Sequence, residues 1–370
     1  MKITNVTVTQ FTQAGIAGIT FGPHNAPTAG SSTLGLVTIS TDEGLEGHAF
    51  LGSVTKSSEI DAFSLIYALK PILLGRDPLD REALYTLICQ RFRSTSWRCI
   101  GAVDVALWDI AGKVAGLPIH RLIGGCRSRV PAYASSPGRS DLSAYVEEAL
   151  EVKARGFHAY KIHPPRTGWQ DDIAACVAVR KAVGDDYRLM LDSTWMYKYP
   201  QALRVGRAIE EMGFYWFEDP LAEDDLYNCA KLRQKLDIPI LATEFSPGGF
   251  HSYAPWILAQ ATDFLRGDVA VKGGITACVK TAHLAEAFHM TYEIHHGGNS
   301  LNNIANLHVM CAIPNSELFE VILPDAVQKF GVLDDLDIAA DGMVDVPQGP
   351  GLGVAIDFEL IRRNTTSVLS

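Results

Sequence analysis

Three short apolar runs, Arg188-Leu-Met-Leu-Asp192, Trp216-Phe-Glu218 and Leu241-Ala-Thr-Glu244, each end in a carboxylate, and successive carboxylates are 26 residues apart. A short apolar run bounded by polar residues suits a strand buried on both faces. One strand, one helix and two loops occupy roughly 25–30 residues in a parallel (β/α)8 barrel. The spacing therefore predicts an acid at the C-terminal end of each of three successive barrel strands. One acid in such a place needs no explanation beyond the start of a loop. Three in register repel one another unless a cation neutralises them. An all-oxygen ligand set favours a hard divalent ion, Mg²⁺ first. Asp192, Glu218 and Glu244 are thus the candidate metal ligands.

The same rhythm runs along most of the chain. Strand-like runs begin near Val130, Ala159, Arg188, Tyr215, Pro239, Phe264, Thr291 and Leu318, at intervals of 24 to 29 residues. Helical patterns fill the gaps. Leu142, Tyr145, Val146, Ala149 and Leu150 share one face behind a candidate cap at Asp141. Ala202, Val205, Ala208, Ile209 and Met212 share another, stopped by Gly213. This predicts an α/β fold with a TIM-type barrel over residues 129–325. A doubly wound open sheet would want a Gly-rich phosphate turn after its first strand, and Tyr133-Ala-Ser-Ser-Pro-Gly138 is a poor one. Ahead of the barrel, residues 3–10, 34–40 and 45–50 alternate as strands, the last two across Asp42-Glu-Gly44. Helical spacing then sets in near Ser57. Residues 1–128 therefore read as an α+β domain, and 326–370, where the rhythm is lost, as a C-terminal segment.

A formal net charge of -10 argues against nucleic acid or an anionic membrane as a partner. An anionic small molecule would need a local metal or local cations. No run of about 18 apolar residues predicts a spanning helix, and the first residues alternate like a strand rather than a secretion signal. Seven cysteines are scattered, odd in number and never spaced Cys-x-x-Cys, which predicts free thiols in a reducing cytoplasm.

Other strand ends add bases. The second run ends Tyr160-Lys161-Ile162-His163, so Lys161 and His163 share a face. The sixth ends at Asp268 and the seventh at His295, followed by His296. An Asp and a His on neighbouring strands can hydrogen-bond, which fixes the imidazole tautomer and raises its basicity. The eighth run carries Glu320. Bases on two sides of a cation, Lys161/His163 and His295, could reach both faces of a carbon next to a carboxylate, while the cation stabilises the enediolate.

Nearly the whole chain resembles the enolase superfamily, in its mandelate racemase subgroup, whose sites pair a base with Mg²⁺. Ala102-Val-Asp-Val-Ala-Leu-Trp-Asp-Ile-Ala-Gly-Lys113 and Leu122-Ile-Gly-Gly125 resemble the end of the family's capping domain. Trp216-Phe-Glu-Asp-Pro220, Thr243-Glu244 and Lys272-Gly-Gly-Ile-Thr276 resemble its barrel signatures. The resemblance implies a modified (β/α)7β barrel, capped by the N-terminal domain and completed by the C-terminal segment. It implies Mg²⁺ on Asp192, Glu218 and Glu244, and a His295–Asp268 acid/base dyad. His295 is preferred to His296 because it lies six residues past His289, where family members place theirs. Glu320 would be a hydrogen-bond donor or charge partner to the substrate carboxylate. The loop around His24 and the turn from His48 to Ser53 would shape the pocket, with His24, Trp195 and His296 at the substrate. Two departures matter. Lys161-x-His163 replaces the common Lys-x-Lys, so a histidine takes the position of the second-strand base. Ser193-Thr-Trp195 replaces the Asp-x-Asn of the mandelate enzyme, which points toward acid-sugar dehydratases. The implied activity is dehydration of an aldonate or aldarate to a 2-keto-3-deoxy acid. The alternatives are a racemase, epimerase or cycloisomerase using the same residues, or a barrel that binds a ligand without turnover. A homo-oligomer is also implied.

Overall fold

Alternating burial along the first strand, with Val6, Val8 and Phe11 inside, lays one face of an antiparallel sheet on a helical layer. The structure is a computed structural model that describes residues 1–20, 30–139, 141–165 and 167–370. β1 (Ile3–Ala14), β2 (Ser31–Thr41) and β3 (Glu46–Leu51) form a meander, and the turn between the last two uses Gly44 at φ 77. Behind it lie α1 (Glu59–Ala68), α2 (Lys70–Leu73), α3 (Arg81–Cys89), α4 (Trp97–Ala115) and α5 (Ile119–Ile123). The short α5 has no counterpart in the sequence reading. Helix α4 is the spine of this unit. Ser96 caps its start by accepting from the Cys99 amide, and Gly116, left-handed at φ 66, ends it. It lies so close to β3 that a Cβ on Gly47 would stand 2.1 Å from the Ala106 carbonyl oxygen.

The barrel follows. Its strands are β4 (Arg129–Ser135), β5 (Ala159–Ile162), β6 (Arg188–Asp192), β7 (Phe217–Glu218), β8 (Ile240–Ala242), β9 (Phe264–Gly267), β10 (Thr291–Ile294) and β11 (Phe319–Ile322). Between them run α6 (Leu142–Ala154), α7 (Trp169–Val183), α8 (Tyr199–Glu211), α9 (Leu226–Arg233), α10 (Tyr253–Leu258), α11 (Ile275–Ala287) and α12 (Ser300–Ala312). Among the described residues, seven α-helices between eight parallel strands make the modified (β/α)7β barrel. The ladder runs unbroken from β4 to β10, and β11 pairs back with β4. Between β10 and β11 a side chain and a backbone bond take over. Glu293 accepts from the amides of Glu317 (2.9 Å) and Leu318 (3.3 Å), and the Tyr292 amide donates to the Asn315 carbonyl at 2.8 Å. Tyr133, Ala159, Met190 and Leu241 of the strands, with Trp216 and Leu318 just ahead of β7 and β11, form a separate buried apolar cluster.

The last residues divide their contacts. β12 (Met343–Asp345) pairs antiparallel with β4 of the barrel. After α13 (Phe358–Asn364), β13 (Thr365–Leu369) joins the other sheet beside β1, giving the order β13-β1-β2-β3.

Two acids of α4 join the units. Asp104 accepts from the Thr276 amide (2.8 Å) and hydroxyl (2.6 Å), so a residue of the N-terminal unit caps the barrel helix α11. Gly274, at φ 104, precedes that helix, and a Cβ there would meet Asp104 at 2.3 Å. Asp109 accepts from the amides of His48 (3.0 Å) and Leu352 (2.9 Å), tying sheet and C-terminal segment to the same helix. Among the described residues no helix is long and apolar enough to cross a membrane.

Candidate active site

Parallel register brings the three acids together. Asp192 ends β6 and faces Glu218 at the end of β7, and Glu244 lies two residues beyond β8. One oxygen from each lies within 4.8 Å of the others, and all three are buried. Lys161, 1% exposed, reaches into the group: its Nζ stands 3.1 Å from Asp192, 3.0 Å from Glu218 and 2.7 Å from Glu320. Burial alone would lower its pKa, but Glu218, Glu320 and Asp192 outweigh that and hold the amine well above its usual range.

Arg266 is the second buried cation, and the sequence reading did not single it out. Its Nε lies 2.8 Å from Glu218 and 3.4 Å from Glu244, and one Nη lies 2.7 Å from Glu320 and 3.1 Å from the Tyr133 hydroxyl. Strand alternation was the available signal, because Arg266 sits two residues before Asp268 and shares its face.

The charges do not balance. Asp192, Glu218, Asp219, Glu244, Asp268 and Glu320 are all buried, against the buried cations Lys161, Arg266 and Lys272, the last pushed down to about 8 by burial beside Asp219, Asp268 and Glu244. Burial pushes the Glu218 carboxyl up, to about 8, although Arg266 and Lys161 stand within 3.0 Å. Asp219, at φ 41, is also held well above the carboxylate range, by burial and by Glu244 and Asp192. A converging set of oxygens with surplus negative charge fits a hard divalent cation.

The histidines flank this row. His163 Nδ1 lies 2.6 Å from the Ser136 carbonyl oxygen, so that nitrogen carries a hydrogen, and Nε2 lies 3.0 Å from Asp192. At the other end, His295 Nδ1 lies 2.5 Å from Asp268 and Nε2 lies 3.4 Å from Glu244. Asp268 also accepts from the amides of Ala270 (2.7 Å) and Val271 (2.6 Å). Burial works against its charge, but these bonds and His295 hold it below the usual range. Glu320 sits between Lys161 and Arg266, which overcome burial and keep it ionised, so the geometry fits a charge partner rather than a hydrogen-bond donor.

A cavity of about 920 Å³ opens above these groups and is lined by both units. Lys161, His163, Asp192, Glu244, Asp268, His295 and Glu320 line it, as does Trp195, which packs edge-on against Phe245 at 5.4 Å. Two expectations are corrected. His296 does not line the cavity. It follows His295, and neighbouring residues at a strand end point to opposite sides. Its ring packs on Phe319 with centroids 4.1 Å apart, and burial pushes its pKa down to about 3. In the β3 turn, Phe50 to Ser53 line the cavity, but His48 turns away, its Nδ1 3.3 Å from the Thr38 hydroxyl. His24 lies outside the described residues.

Comparison with known proteins agrees with this geometry. Residues 144–360 match the family described as Enolase C-terminal domain-like, and residues 19–124 match the Mandelate racemase / muconate lactonizing enzyme N-terminal domain. The chain is 31% identical over 296 residues to an arabinonate dehydratase of Saccharolobus solfataricus, covering 78% of this chain and 79% of the relative. It is 31% identical over 347 residues to a D-galactarolactone cycloisomerase of Agrobacterium fabrum, covering 88% and 89%. Among solved structures, a D-glucarate dehydratase from Agrobacterium tumefaciens complexed with magnesium superposes with a TM-score of 0.89 at 34% identity, covering 99% of this chain and 100% of that one. The chain therefore belongs to the enolase superfamily, in its mandelate racemase subgroup.

Proposed function

We propose that the chain is a Mg²⁺-dependent acid-sugar dehydratase that removes the proton next to a carboxylate and expels the neighbouring hydroxyl. The observation that carries this reading is the carboxylate row with a histidine at each end. Asp192, Glu218 and Glu244 would hold Mg²⁺, which when bound supplies the positive charge that makes such a proton acidic. Lys161, held cationic by Glu320, would face the substrate carboxylate. His163 is oriented by Ser136 and takes the α-proton on Nε2. His295 is oriented by Asp268, whose anion stabilises the imidazolium, and gives a proton to the β-hydroxyl, which leaves as water. One C–H and one C–O bond break, a C=C bond forms, and the resulting enol becomes the 2-keto-3-deoxy acid. Trp195 would pack against the sugar chain.

Incubation with a panel of aldonates and aldarates, with an assay for 2-keto-3-deoxy acids, tests the reading. A second reading, cycloisomerisation or epimerisation by the same groups, is favoured by the similarity to the cycloisomerase. It predicts α-proton exchange with D₂O and no loss of water. A panel giving neither keto acid nor exchange would leave only a binding protein.

The remaining assignments follow from the same reading. Residues 1–128 act as the cap, 129–325 as the catalytic barrel, and 326–370 link the two. No cysteine is paired, which fits a reducing cytoplasm. Exposed Ile60, Phe63 and Tyr67 share one face of α1 and fit a homo-oligomer contact; sedimentation at rising concentration tests this, and a purely monomeric species would sink it.

A further inference from the structure

The two halves of the cavity differ in charge. Every acid that lines it comes from the barrel, whereas the described lining residues of the N-terminal unit include two cations, Arg98 and Lys56, and no acid. Arg98 is the built one. It lies in the first turn of α4, and its neighbour Trp97 is wedged between Gly249 and Gly273, where added Cβ atoms would stand 2.8 and 2.9 Å from the indole. Those glycines belong to the loops after β8 and β9. The start of α4 is therefore fixed over the strand ends that carry Glu244 and Asp268. Arg98 itself is fixed by Asp61, 5% exposed, whose Oδ2 accepts from Nε at 2.6 Å. Among the described residues neither Nη has a hydrogen-bond partner. An arginine held by Nε presents its two Nη groups as a fork, a shape matched to a carboxylate.

We propose that Arg98 binds the distal carboxylate of the substrate, so that the cavity takes acid sugars with a carboxylate at each end. This rests on the acid-sugar reading above and narrows it. One carboxylate would lie on the floor, beside the acid row and Lys161, and the sugar chain would span the cavity. The other would meet Arg98, with Lys56 and Ser53 at its rim. An aldonate offers Arg98 only a terminal hydroxyl, which gains far less from a guanidinium than an anion does.

The test compares matched pairs, glucarate with gluconate and galactarate with galactonate, on the wild type, Arg98→Gln and Arg98→Lys. Turnover and equilibrium binding are measured with Mg²⁺ present. The wild type should prefer the dicarboxylate. Arg98→Gln should reduce that preference by about 10–100-fold, mainly through KM and Kd. Arg98→Lys, which keeps a cation beside Asp61, should recover part of it. A merely structural Arg98 would lower both members of each pair together and lower the melting temperature, and that result overturns the proposal. So does a wild type that prefers aldonates. Dicarboxylate-selective binding that depends on Arg98, without keto-acid formation, would retain the subsite and remove dehydration. Keto-acid formation indifferent to Arg98 would do the reverse.

Discussion

The floor of the cavity and its roof are built on different principles. The floor packs six carboxylates, two lysines, an arginine and His295 into a buried region where each charge depends on several others. The roof presents a short turn, part of one helix and two cations. Removing one member of the floor strands its partners in a low dielectric, whereas a roof side chain can change with little effect on stability. The floor is thus suited to one chemical step, and the roof to choosing what reaches it.

The contrast can be broken most severely at Arg266. Arg266→Met leaves Glu218, Glu320 and Glu244 short of a cation, so a loss of about 3–5 kcal/mol is expected. Urea unfolding of the variant measures it, and a loss below 1 kcal/mol would show that the floor charges are not interdependent. Asp268→Asn should retain the fold and lower kcat by about 10²–10⁴-fold, because His295 loses the anion that orients it. Steady-state kinetics beside a melting curve separates the two effects.

A smaller effect lies at the joint between roof and floor. Burial pushes the Asp104 carboxyl up to about 7, against its bonds from Thr276. The folded chain then holds a proton that the unfolded chain releases above about pH 4. That contribution to stability is complete below pH 4 and is lost as pH rises through 7. Asp104→Asn has no proton to bind there, so its stability should decline less than the wild type's between pH 4 and 7. At pH 5 it should be less stable by about 1 kcal/mol, since the hydrogen-bonded cap of α11 is weakened. Unfolding at pH 5, 6 and 7 gives both quantities.

How much could be read beforehand follows the same division. A parallel barrel repeats at a nearly fixed period, so the meeting of Asp192, Glu218 and Glu244 was legible from their spacing. The dyad contact was legible from adjacent strand ends. Arg266 was harder to read, because strand alternation places it on the face of Asp268 but an arginine inside an apolar run reads as an interruption until Glu218, Glu244 and Glu320 are seen around it. His296 is not told from a pocket residue by its type, but the strand sends successive residues to opposite sides, so it and His295 cannot both face the cavity. The bond from Asp104 to Thr276 spans 172 positions, and no local pattern encodes a contact of that range. Roof positions such as Arg98 lie on elements whose docking depends on the barrel beneath them.

The central claim is that a divalent cation on three strand-end carboxylates makes the C–H bond next to a carboxylate breakable. Proton NMR in D₂O, following the α-proton of an acid sugar the enzyme accepts, tests it most directly. Exchange or loss of that signal should occur with Mg²⁺, stop with a chelator, return when Mg²⁺ is restored, and be absent in a Glu218→Gln variant that still melts cooperatively. Exchange at the wild-type rate in the chelated enzyme or in that variant would contradict the account.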